Sequence, residues 1–364
     1  MGFKNNRNGL PLINNNDIIT FVRDVLNISE EMAIGLTHLA VRGSEREFFR
    51  AKWGSDNTCI IIKYNPNRIE NTYYVEIGGF LKDIQVSVPE IIGHDHDLCL
   101  IVMEDLGDTD LWSLKGESWD VRRPIYNKTL EIIRRLHAFP IAKPSNIHVR
   151  HMDGFDLSLY RWEQDYFFEN FVKGVCRILP DKSLKERLDL ELSTLIERLS
   201  ATPQCLLHRD LQSQNIMIKH NEPYLIDFQG MRIGSLFYDL GSLLNDPYAC
   251  LVEKERKELL SYYYRLANID MDWDLFQLCF WEASVERLMQ ALGAYGFLGY
   301  KKGFKTFIKY IQPGIKILIN AISNIRYMPH LLELAMRCRD ALTDESLYLD
   351  SYDGSTTKTK EALC

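Results

Sequence analysis

An aspartate and an asparagine lie five residues apart in the segment LLHRDLQSQNIMI, residues 206–218, between two short apolar runs. Phosphoryl transfer to a hydroxyl needs a carboxylate that orients the attacking oxygen and accepts its proton, and Asp210 is a candidate for this role. The same reaction needs a divalent metal on the phosphates, and Asn215 offers a neutral oxygen ligand from the same loop. The alternative is a solvated polar turn between the strands of a hairpin.

A second carboxylate follows twelve residues after Asn215, in the segment Tyr224-Leu-Ile-Asp227-Phe-Gln-Gly230. An apolar strand that ends in Asp-Phe places this carboxylate beside the loop. Mg²⁺ prefers oxygen ligands and usually takes one or two from protein, with phosphate oxygens completing the set. Asn215 and Asp227 are therefore the predicted metal ligands. The alternative for Asp227 alone is a turn residue or a helix cap.

A nucleotide site also needs a cation for the phosphates, and Lys63 ends the apolar run Ile60-Ile61-Ile62. A lysine at the end of such a strand contacts the α- and β-phosphates, and an acidic residue must hold it in place. Glu76 lies thirteen residues later, within an amphipathic helix, and is the predicted partner. The alternative is that both side chains are simply solvated.

Two further segments are predicted to contact the nucleotide. Gly43 and Ser44 lie in a loop that has only one glycine, and their backbone N–H groups and the Ser44 hydroxyl could bind phosphate. The segment around Met103, Glu104 and Leu106 connects the two predicted lobes. Its backbone at Glu104 and Leu106 could pair with the adenine edge, with Met103 lining the site.

The elements that would position these residues change character near residue 105. Residues 35–101 contain short β-branched runs and one amphipathic helix, which predicts a small antiparallel sheet with an inserted helix. Beyond residue 110 helical patterns dominate, at residues 126–137, 157–172, 185–199, 253–266, 275–292 and 304–324. Two apolar runs within residues 205–227 are predicted to form one hairpin around the loop at residues 208–215, which we call the catalytic loop.

The predicted fold class is α+β with two lobes. The N-terminal nucleotide-binding lobe is placed at residues 17–105 and the C-terminal helical catalytic and substrate lobe at residues 106–345. Residues 346–364 lack apolar periodicity and are predicted to be a disordered tail.

Composition limits the class of partner. The formal net charge is −7 and there is no long Lys/Arg run, which argues against nucleic acid. No apolar run reaches the ~18 residues of a membrane span, and the polar, Asn-rich N-terminus does not resemble a signal peptide. The 8 cysteines form no CxxC pair, which favours free thiols in a cytoplasmic protein over a zinc framework.

Together these motifs resemble the aminoglycoside phosphotransferase superfamily, the small-molecule branch of the protein-kinase-like fold. The resemblance rests on residues 208–215, 226–229 and 238–240 and extends from about residue 17 to residue 336. Within the superfamily the chain is most similar to bacterial kinases of the anomeric hydroxyl of N-acetylmuramate and N-acetylglucosamine. The features shared with that group are IDFQG at residues 226–230, the segment at residues 234–248, and Glu286-Arg287-Leu-Met-Gln-Ala-Leu-Gly293.

The resemblance implies an ATP- and Mg²⁺-dependent kinase of a small molecule. It implies that Asp210 is the catalytic base, that Asn215 and Asp227 bind Mg²⁺, and that Lys63 pairs with Glu76. It also implies that His208 and Asp239 support the catalytic loop. The alternative for Asp239 is a helix N-cap, which is compatible with that role.

The acceptor site is expected in the helical lobe. Asp153 and Glu163 belong to an acidic, aromatic stretch that could hold sugar hydroxyls, and Arg287 lies in the late helix motif. Gln290 departs from the lysine usual in the sugar kinases, which leaves the acceptor open. The acidic stretch could equally hold the amines of an aminoglycoside, or be a solvated helix face. A choline or homoserine kinase and a catalytically silent nucleotide-binding pseudokinase are further alternatives.

Overall fold

The computed structural model describes residues 13–39, 46–141 and 149–343 of the chain. Gly43 and Ser44, which were predicted to contact phosphate, lie outside the described residues, and so does the predicted tail at residues 346–364. The described part consists of a five-stranded sheet followed by a larger helical region that contains four short strands.

The described part of the N-terminal region contains three helices and five strands: α1 (Asn15–Leu26), β1 (Ile34–Leu39), β2 (Glu47–Trp53), β3 (Asn57–Lys63), α2 (Ile69–Thr72), α3 (Tyr74–Asp83), β4 (Ile91–Asp95) and β5 (Leu100–Glu104). The strands form one antiparallel sheet in the order β1-β2-β3-β5-β4. The predicted antiparallel sheet with an inserted helix is confirmed.

Strand β3 is buried on both of its faces. Cys59 and Ile61 pack in one apolar cluster with Val22 of α1, whereas Ile60 and Ile62 belong to the main core of the molecule. Successive side chains of a strand point to opposite faces. A shift of one residue along β3 therefore moves a side chain from one core to the other.

Within the described residues the helical region carries eight α-helices and four short strands: α4 (Trp119–His137), α5 (Leu157–Phe167), α6 (Lys182–Ala201), β6 (Gln204–Leu207), β7 (Ile216–Lys219), β8 (Glu222–Leu225), β9 (Arg232–Ser235), α7 (Leu236–Leu244), α8 (Glu253–Ala267), α9 (Trp273–Gly296), α10 (Ile311–Ser323) and α11 (Pro329–Thr343). The helix predicted at residues 157–172 is divided, because α5 passes into a π-helical turn at Phe168–Val172.

Helix α9 is the centre of this region and packs against α5, α7 and α10. Two glycines allow close approaches between these helices. A Cβ atom on Gly293 would lie 3.1 Å from the backbone of Phe167 in α5, and one on Gly241 of α7 would lie 3.0 Å from Cα of Ser284. Larger residues would force these helices apart. Among the described helices, none is long and apolar enough to cross a membrane.

The two apolar runs around the catalytic loop belong to different sheets. Strand β6 pairs with β9, with Leu207 opposite Arg232, and β7 pairs with β8. The prediction of one hairpin that encloses the loop was therefore wrong. The reason is a tight turn at His220 and Asn221, whose φ angles of 53° and 61° suit a two-residue hairpin and give β7 its partner immediately.

Candidate active site

A cavity of about 470 Å³ lies between the sheet and the helical region. Three groups of residues line it: from the sheet Phe48, Ile60 and Met103, from the loops Asp210, Asn215 and Asp227, and from the helical side Tyr248, Arg287 and Tyr295. The structure therefore brings the predicted base and both predicted metal ligands to one cavity.

Asp210 lies between two arginines. Nη1 of Arg209 is 3.3 Å from one carboxylate oxygen, and Nη2 of Arg287 is 3.4 Å from the other. Burial raises the pKa of Asp210, but the charges of Arg209 and Arg287 outweigh burial, so this pKa is lower than its ordinary value. The side chain is therefore ionised at neutral pH, which is the form that can orient a hydroxyl and accept its proton.

Asn215 is tied to the backbone of Asp210. Its Nδ2 atom donates to the carbonyl oxygen of Asp210 at 2.9 Å, and its own carbonyl accepts from the backbone N–H of Ile226 at 3.0 Å. The amide nitrogen is used in this contact. The side-chain oxygen Oδ1 is then the atom of Asn215 that can serve as a ligand at the cavity wall.

Asp227 has a left-handed backbone conformation, with φ 64° and ψ 32°. Its Oδ1 atom accepts hydrogen bonds from Nε2 of Gln229 at 2.9 Å and from Nη2 of Arg46. Burial alone would raise the pKa of Asp227. The charge of Arg46 and the two hydrogen bonds lower this pKa by more than burial raises it, so it lies below its ordinary value. Asp227 is thus a second ionised carboxylate in the cavity.

This set of oxygen atoms fits Mg²⁺. Within the described residues, no group of three or more His, Cys, Asp or Glu side chains could hold a metal ion alone. Asn215 and Asp227 offer two hard oxygen atoms, and Mg²⁺ commonly binds through one or two protein ligands together with phosphate and water. An enclosed zinc or calcium site would need more ligands than these two.

Asp239 holds the beginning of the catalytic loop. Its two carboxylate oxygens accept from the backbone N–H groups of His208 at 2.7 Å and Arg209 at 2.8 Å, and Nε2 of His137 lies 3.1 Å away. The ring N–H of His208 donates to the carbonyl of Ile226 at 2.9 Å. These contacts fix Arg209 at φ 77°, a conformation that costs energy for a non-glycine residue.

A second carboxylate that holds the catalytic loop, Asp246, was not predicted from the sequence. The backbone N–H and the hydroxyl of Ser213 both donate to Oδ2 of Asp246, and the backbone N–H of Tyr248 donates to Oδ1 at 2.9 Å. Burial raises the pKa of Asp246 to about 6, although these hydrogen bonds lower it. Asp246 lies thirty-three residues after Ser213, and no local spacing connects them.

The predicted ion pair between Lys63 and Glu76 is absent, and this prediction was wrong. Nζ of Lys63 lies 3.1 Å from the carboxylate of Glu47, its direct cross-strand neighbour. Glu76 instead accepts from Nε of Arg150 at 2.9 Å and 3.1 Å. The physical reason is the alternation along β3, since the cavity is lined by Ile60 and Lys63 lies on the opposite face.

Arg46 is a cation that pairs with Asp227, one of the two predicted metal ligands. Arg46, Phe48 and Arg50 are spaced by two residues and all line the cavity, whereas Glu47 between them pairs with Lys63. This alternation is the feature of the sequence from which Arg46 could have been assigned to the cavity. Arg50 lies at the other end of the row, with Nε 2.7 Å from the carboxylate of Asp105.

The segment that connects the two regions lies at the cavity as predicted for Met103, Glu104 and Leu106, which all line it. The backbone N–H of Glu104 donates to the carbonyl of Glu90 at 2.8 Å, so it does not serve as a donor to an adenine. The Glu104 carboxylate accepts from Nζ of Lys219 at 2.7 Å.

Two of the three predicted acceptor residues do not line the cavity. Asp153 is exposed and lies beside β9, where the neighbouring N–H groups of Met152 and Phe155 pair with residues 231 and 233. Glu163 is fully buried and accepts from the Tyr238 hydroxyl at 2.9 Å. These two placements were therefore wrong, because Glu163 is buried against Tyr238 and Arg209, and Asp153 is exposed outside the cavity.

Arg287 does line the cavity, together with Gln290 and with three aromatic residues that the sequence did not single out for this purpose. We call this group the acceptor wall, and it comprises Tyr248, Arg287, Gln290, Tyr295 and Phe307. Arg287 donates through Nη1 to the side chain of Gln290, through Nε to the Ser242 hydroxyl at 3.2 Å, and it approaches Asp210. The acceptor wall is aromatic, with one cation.

Comparisons with known proteins agree with this geometry. Residues 53–278 match the phosphotransferase enzyme family. The N-acetylmuramate/N-acetylglucosamine kinase of Neisseria meningitidis serogroup B is 26% identical over 325 residues, which cover 87% of this chain and 93% of that protein.

Two solved structures share the fold at low sequence identity. Choline kinase LicA from Streptococcus pneumoniae has a TM-score of 0.55 at 15% identity and covers 83% of this chain and 99% of its own. The ADP-bound aminoglycoside phosphotransferase APH(2'')-Ib has a TM-score of 0.54 at 13% identity, and the match covers 84% of this chain and 99% of that chain. The predicted fold class is confirmed by these similarities. Because the family match covers more than half of the sequence, the chain belongs to the phosphotransferase enzyme family and is a small-molecule kinase.

Proposed function

We propose that this chain transfers a phosphoryl group from ATP, with Mg²⁺, to the anomeric hydroxyl of an amino sugar of the N-acetylmuramate and N-acetylglucosamine type. The observation that carries the proposal is the position of Asp210, an ionised carboxylate at the cavity wall between Asn215 and Arg287. The Neisseria relative named for these two sugars is similar over 93% of its length.

In this proposal each part of the cavity has one role. Asp210 orients the acceptor hydroxyl and accepts its proton, while Asn215 and Asp227 hold the metal. Bound Mg²⁺ would neutralise charge on the phosphates. Met103 and Leu106 would contact the adenine at the connecting segment, and Asp239 would keep the loop in position.

The acceptor wall favours a neutral or anionic sugar over a cationic acceptor. The aromatic side chains of Tyr248, Tyr295 and Phe307 can pack against a sugar ring, and Arg287 with Gln290 can bind its oxygen atoms. These five residues include one arginine and no carboxylate. Choline and aminoglycosides carry ammonium groups, which Arg287 would repel.

The test is a panel of acceptors assayed by ADP release with purified protein and Mg-ATP. It includes N-acetylmuramate, N-acetylglucosamine, choline and an aminoglycoside, with ATP alone as the blank. We expect turnover with the two N-acetylated sugars and none above the blank with choline or the aminoglycoside. Turnover with choline or the aminoglycoside alone would contradict the acceptor class. Thermal stabilisation by ATP without turnover on any acceptor would support the pseudokinase alternative.

The position of phosphorylation and the role of Asp210 need separate measurements. Phosphorus NMR of the product should show coupling of the phosphate to the anomeric proton, and coupling to another ring proton would exclude the anomeric position. Asp210→Asn should lower kcat by about 10³-fold or more, since positioning and charge stabilisation dominate this chemistry. Activity close to that of the wild type in this variant would remove Asp210 from the proposed role.

A further inference from the structure

Strand β3 supplies no cation to the phosphate end of the cavity. The side chain of β3 that lines the cavity is Ile60, opposite Arg50, and Ile62 on the same face is buried in the main core. Lys63 lies on the other face, next to Glu47. A phosphate chain placed near Asp210 and Asp227 adds negative charge to two existing carboxylates. A nearby cation besides the metal would offset that repulsion.

Arg46 occupies the position where such a cation is needed. It lies immediately before β2, is 8% exposed, and lines the cavity. Its Nη2 atom pairs with Oδ1 of Asp227, and its Nη1 atom donates to Oε1 of Gln229 at 2.9 Å. Gln229 in turn donates through Nε2 to Oδ1 of Asp227 at 2.9 Å. The three side chains form a closed triangle of hydrogen bonds.

Gln229 is the residue that distinguishes the IDFQG segment from a segment with glycine at that position. A glycine there would leave Nη1 of Arg46 without this acceptor. Gln229 accepts from the arginine and donates to the carboxylate, so it fixes the direction of the guanidinium as well as its distance from Asp227. The glutamine and the arginine therefore act as one unit, and they lie 183 residues apart in the chain.

We propose that Arg46 is the phosphate-binding cation of this nucleotide site, in place of the strand lysine, and that Gln229 positions it. This assignment rests on the proposed ATP-dependent function. A guanidinium suits the task because its planar N–H groups can bind phosphate oxygens in pairs, which a single ammonium group cannot do.

The assignment has a consequence for metal binding. Arg46 pairs with the same carboxylate that is a predicted metal ligand, so its charge opposes a second cation at Asp227 when no nucleotide is bound. The negative charge of the nucleotide phosphates offsets this repulsion between Arg46 and the metal. Metal and nucleotide should therefore bind cooperatively, and the cooperativity should depend on Arg46.

The experiment measures binding without turnover, in the wild type, Arg46→Gln and Lys63→Ala. ATP affinity is measured by calorimetry, and Mn²⁺ affinity without nucleotide is measured by electron paramagnetic resonance. Arg46→Gln should weaken ATP binding by about tenfold to a hundredfold. The same variant should bind Mn²⁺ alone about threefold to tenfold more tightly, because a repelling charge is gone. Lys63→Ala should stay within about twofold in both measurements, since its surface pair is worth little.

Weaker ATP binding together with tighter Mn²⁺ binding distinguishes this role from general damage to the fold, which would weaken the binding of both ligands. Arg46→Lys keeps the charge but cannot bridge Gln229 and Asp227, so its ATP affinity should lie between those of the wild type and Arg46→Gln. Gln229→Ala should weaken ATP binding less than Arg46→Gln does. The double variant should be no worse than Arg46→Gln alone, because the two residues act together.

Two results would overturn the assignment in distinguishable ways. If the wild type binds ATP, and Lys63→Ala loses that binding while Arg46→Gln keeps it, the strand lysine is the phosphate ligand and only this assignment fails. If the folded wild type binds Mn²⁺ but no ATP, the proposed function fails and the assignment fails with it.

Discussion

Asp246 accepts two hydrogen bonds from Ser213, one from the backbone N–H at 2.8 Å and one from the hydroxyl at 2.5 Å. Ser213 lies between Asp210 and Asn215, so this contact anchors the middle of the catalytic loop. Asp239 anchors its beginning through the backbone N–H groups of residues 208 and 209. The loop is thus held at two points by carboxylates from α7 and from the segment that follows it.

Ser213→Ala should lower kcat several-fold and reduce the free energy of unfolding. The substitution removes one hydrogen bond to a buried carboxylate, a loss of about 1–3 kcal/mol. The Kd for ATP should change little, because the hydroxyl does not reach the cavity. Chemical denaturation and steady-state kinetics provide the measurements. Ser158→Ala is the matched control, since that serine donates to Asp156 at the exposed start of α5 and should shift stability by less than about 0.5 kcal/mol.

The buried Asp246 carboxylate should make stability depend on pH. Burial raises its pKa from 3.8 to about 6 in the folded chain, so the folded state holds a proton that the unfolded state has released between these values. Stability from this group is therefore greatest below pH 4 and is lost as pH rises to 6 and above. Relative to Asp246→Asn, the free energy of unfolding of the wild type should fall by up to about 3 kcal/mol between pH 4 and pH 7, as measured by chemical denaturation at each pH.

A control of opposite sign is available at Asp156. The Ser158 hydroxyl and the Leu159 N–H lower the pKa of Asp156 at the N-terminus of α5. Stability from this group is present above its unfolded pKa and is lost as pH falls. The difference between the wild type and Asp156→Asn should therefore grow as pH rises from 3 to 5. Parallel pH curves for the Asp156 and Asp246 variants would contradict the assignment of the buried carboxylate.

The parts of the site that depend on local spacing could be predicted from the sequence. Asn215 reaches the carbonyl of Asp210 across five residues, so the loop geometry is encoded within the segment itself. Asp227 follows at the end of β8, whose hairpin with β7 returns the chain to the loop at once. Long helices with one apolar face could also be predicted, and α9 extends only a few residues beyond the predicted range.

Two kinds of feature could not be predicted: which face of a strand each residue occupies, and which residues distant in sequence are brought together by packing. All residues from Cys59 to Ile62 are buried, because β3 is covered on both faces, so hydrophobicity does not show which residue faces the cavity. Lys63 was therefore assigned to the wrong face. The acceptor wall is assembled from Tyr248, α9 and Phe307, and only the packing of the helices brings these together.

Arg287→Met should separate acceptor binding from nucleotide binding. Arg287 is 4% exposed, lies in the acceptor wall and approaches Asp210. Removing its charge should lower kcat/KM for the sugar by about 10²- to 10³-fold, or about 3–4 kcal/mol, with the Kd for ATP nearly unchanged. Arg256→Met is the control, because that buried arginine donates to the backbone carbonyls of Leu244 and Leu251. It should lower stability and leave KM for the sugar unchanged.

Glu163→Gln should lower kcat without changing KM for the sugar, which would show that Glu163 positions the loop and does not bind the acceptor. The carboxylate is fully buried, accepts from the Tyr238 hydroxyl and lies 3.6 Å from Nη2 of Arg209. Gln keeps an acceptor for Tyr238 but removes the charge that holds Arg209 beside Asp210. We expect a decrease of about tenfold in kcat, by steady-state kinetics with saturating ATP.

The partners of Glu163 provide the controls. Tyr238→Phe combined with Glu163→Gln should lower kcat less than the two separate effects predict, because both changes act on one hydrogen-bonded group. Asp153→Asn changes an exposed residue of the same acidic stretch outside the cavity, and its kinetics should match those of the wild type. An increase in KM for the sugar in Glu163→Gln, with kcat retained, would instead return Glu163 to the acceptor site, and the loop would then have to open to expose it.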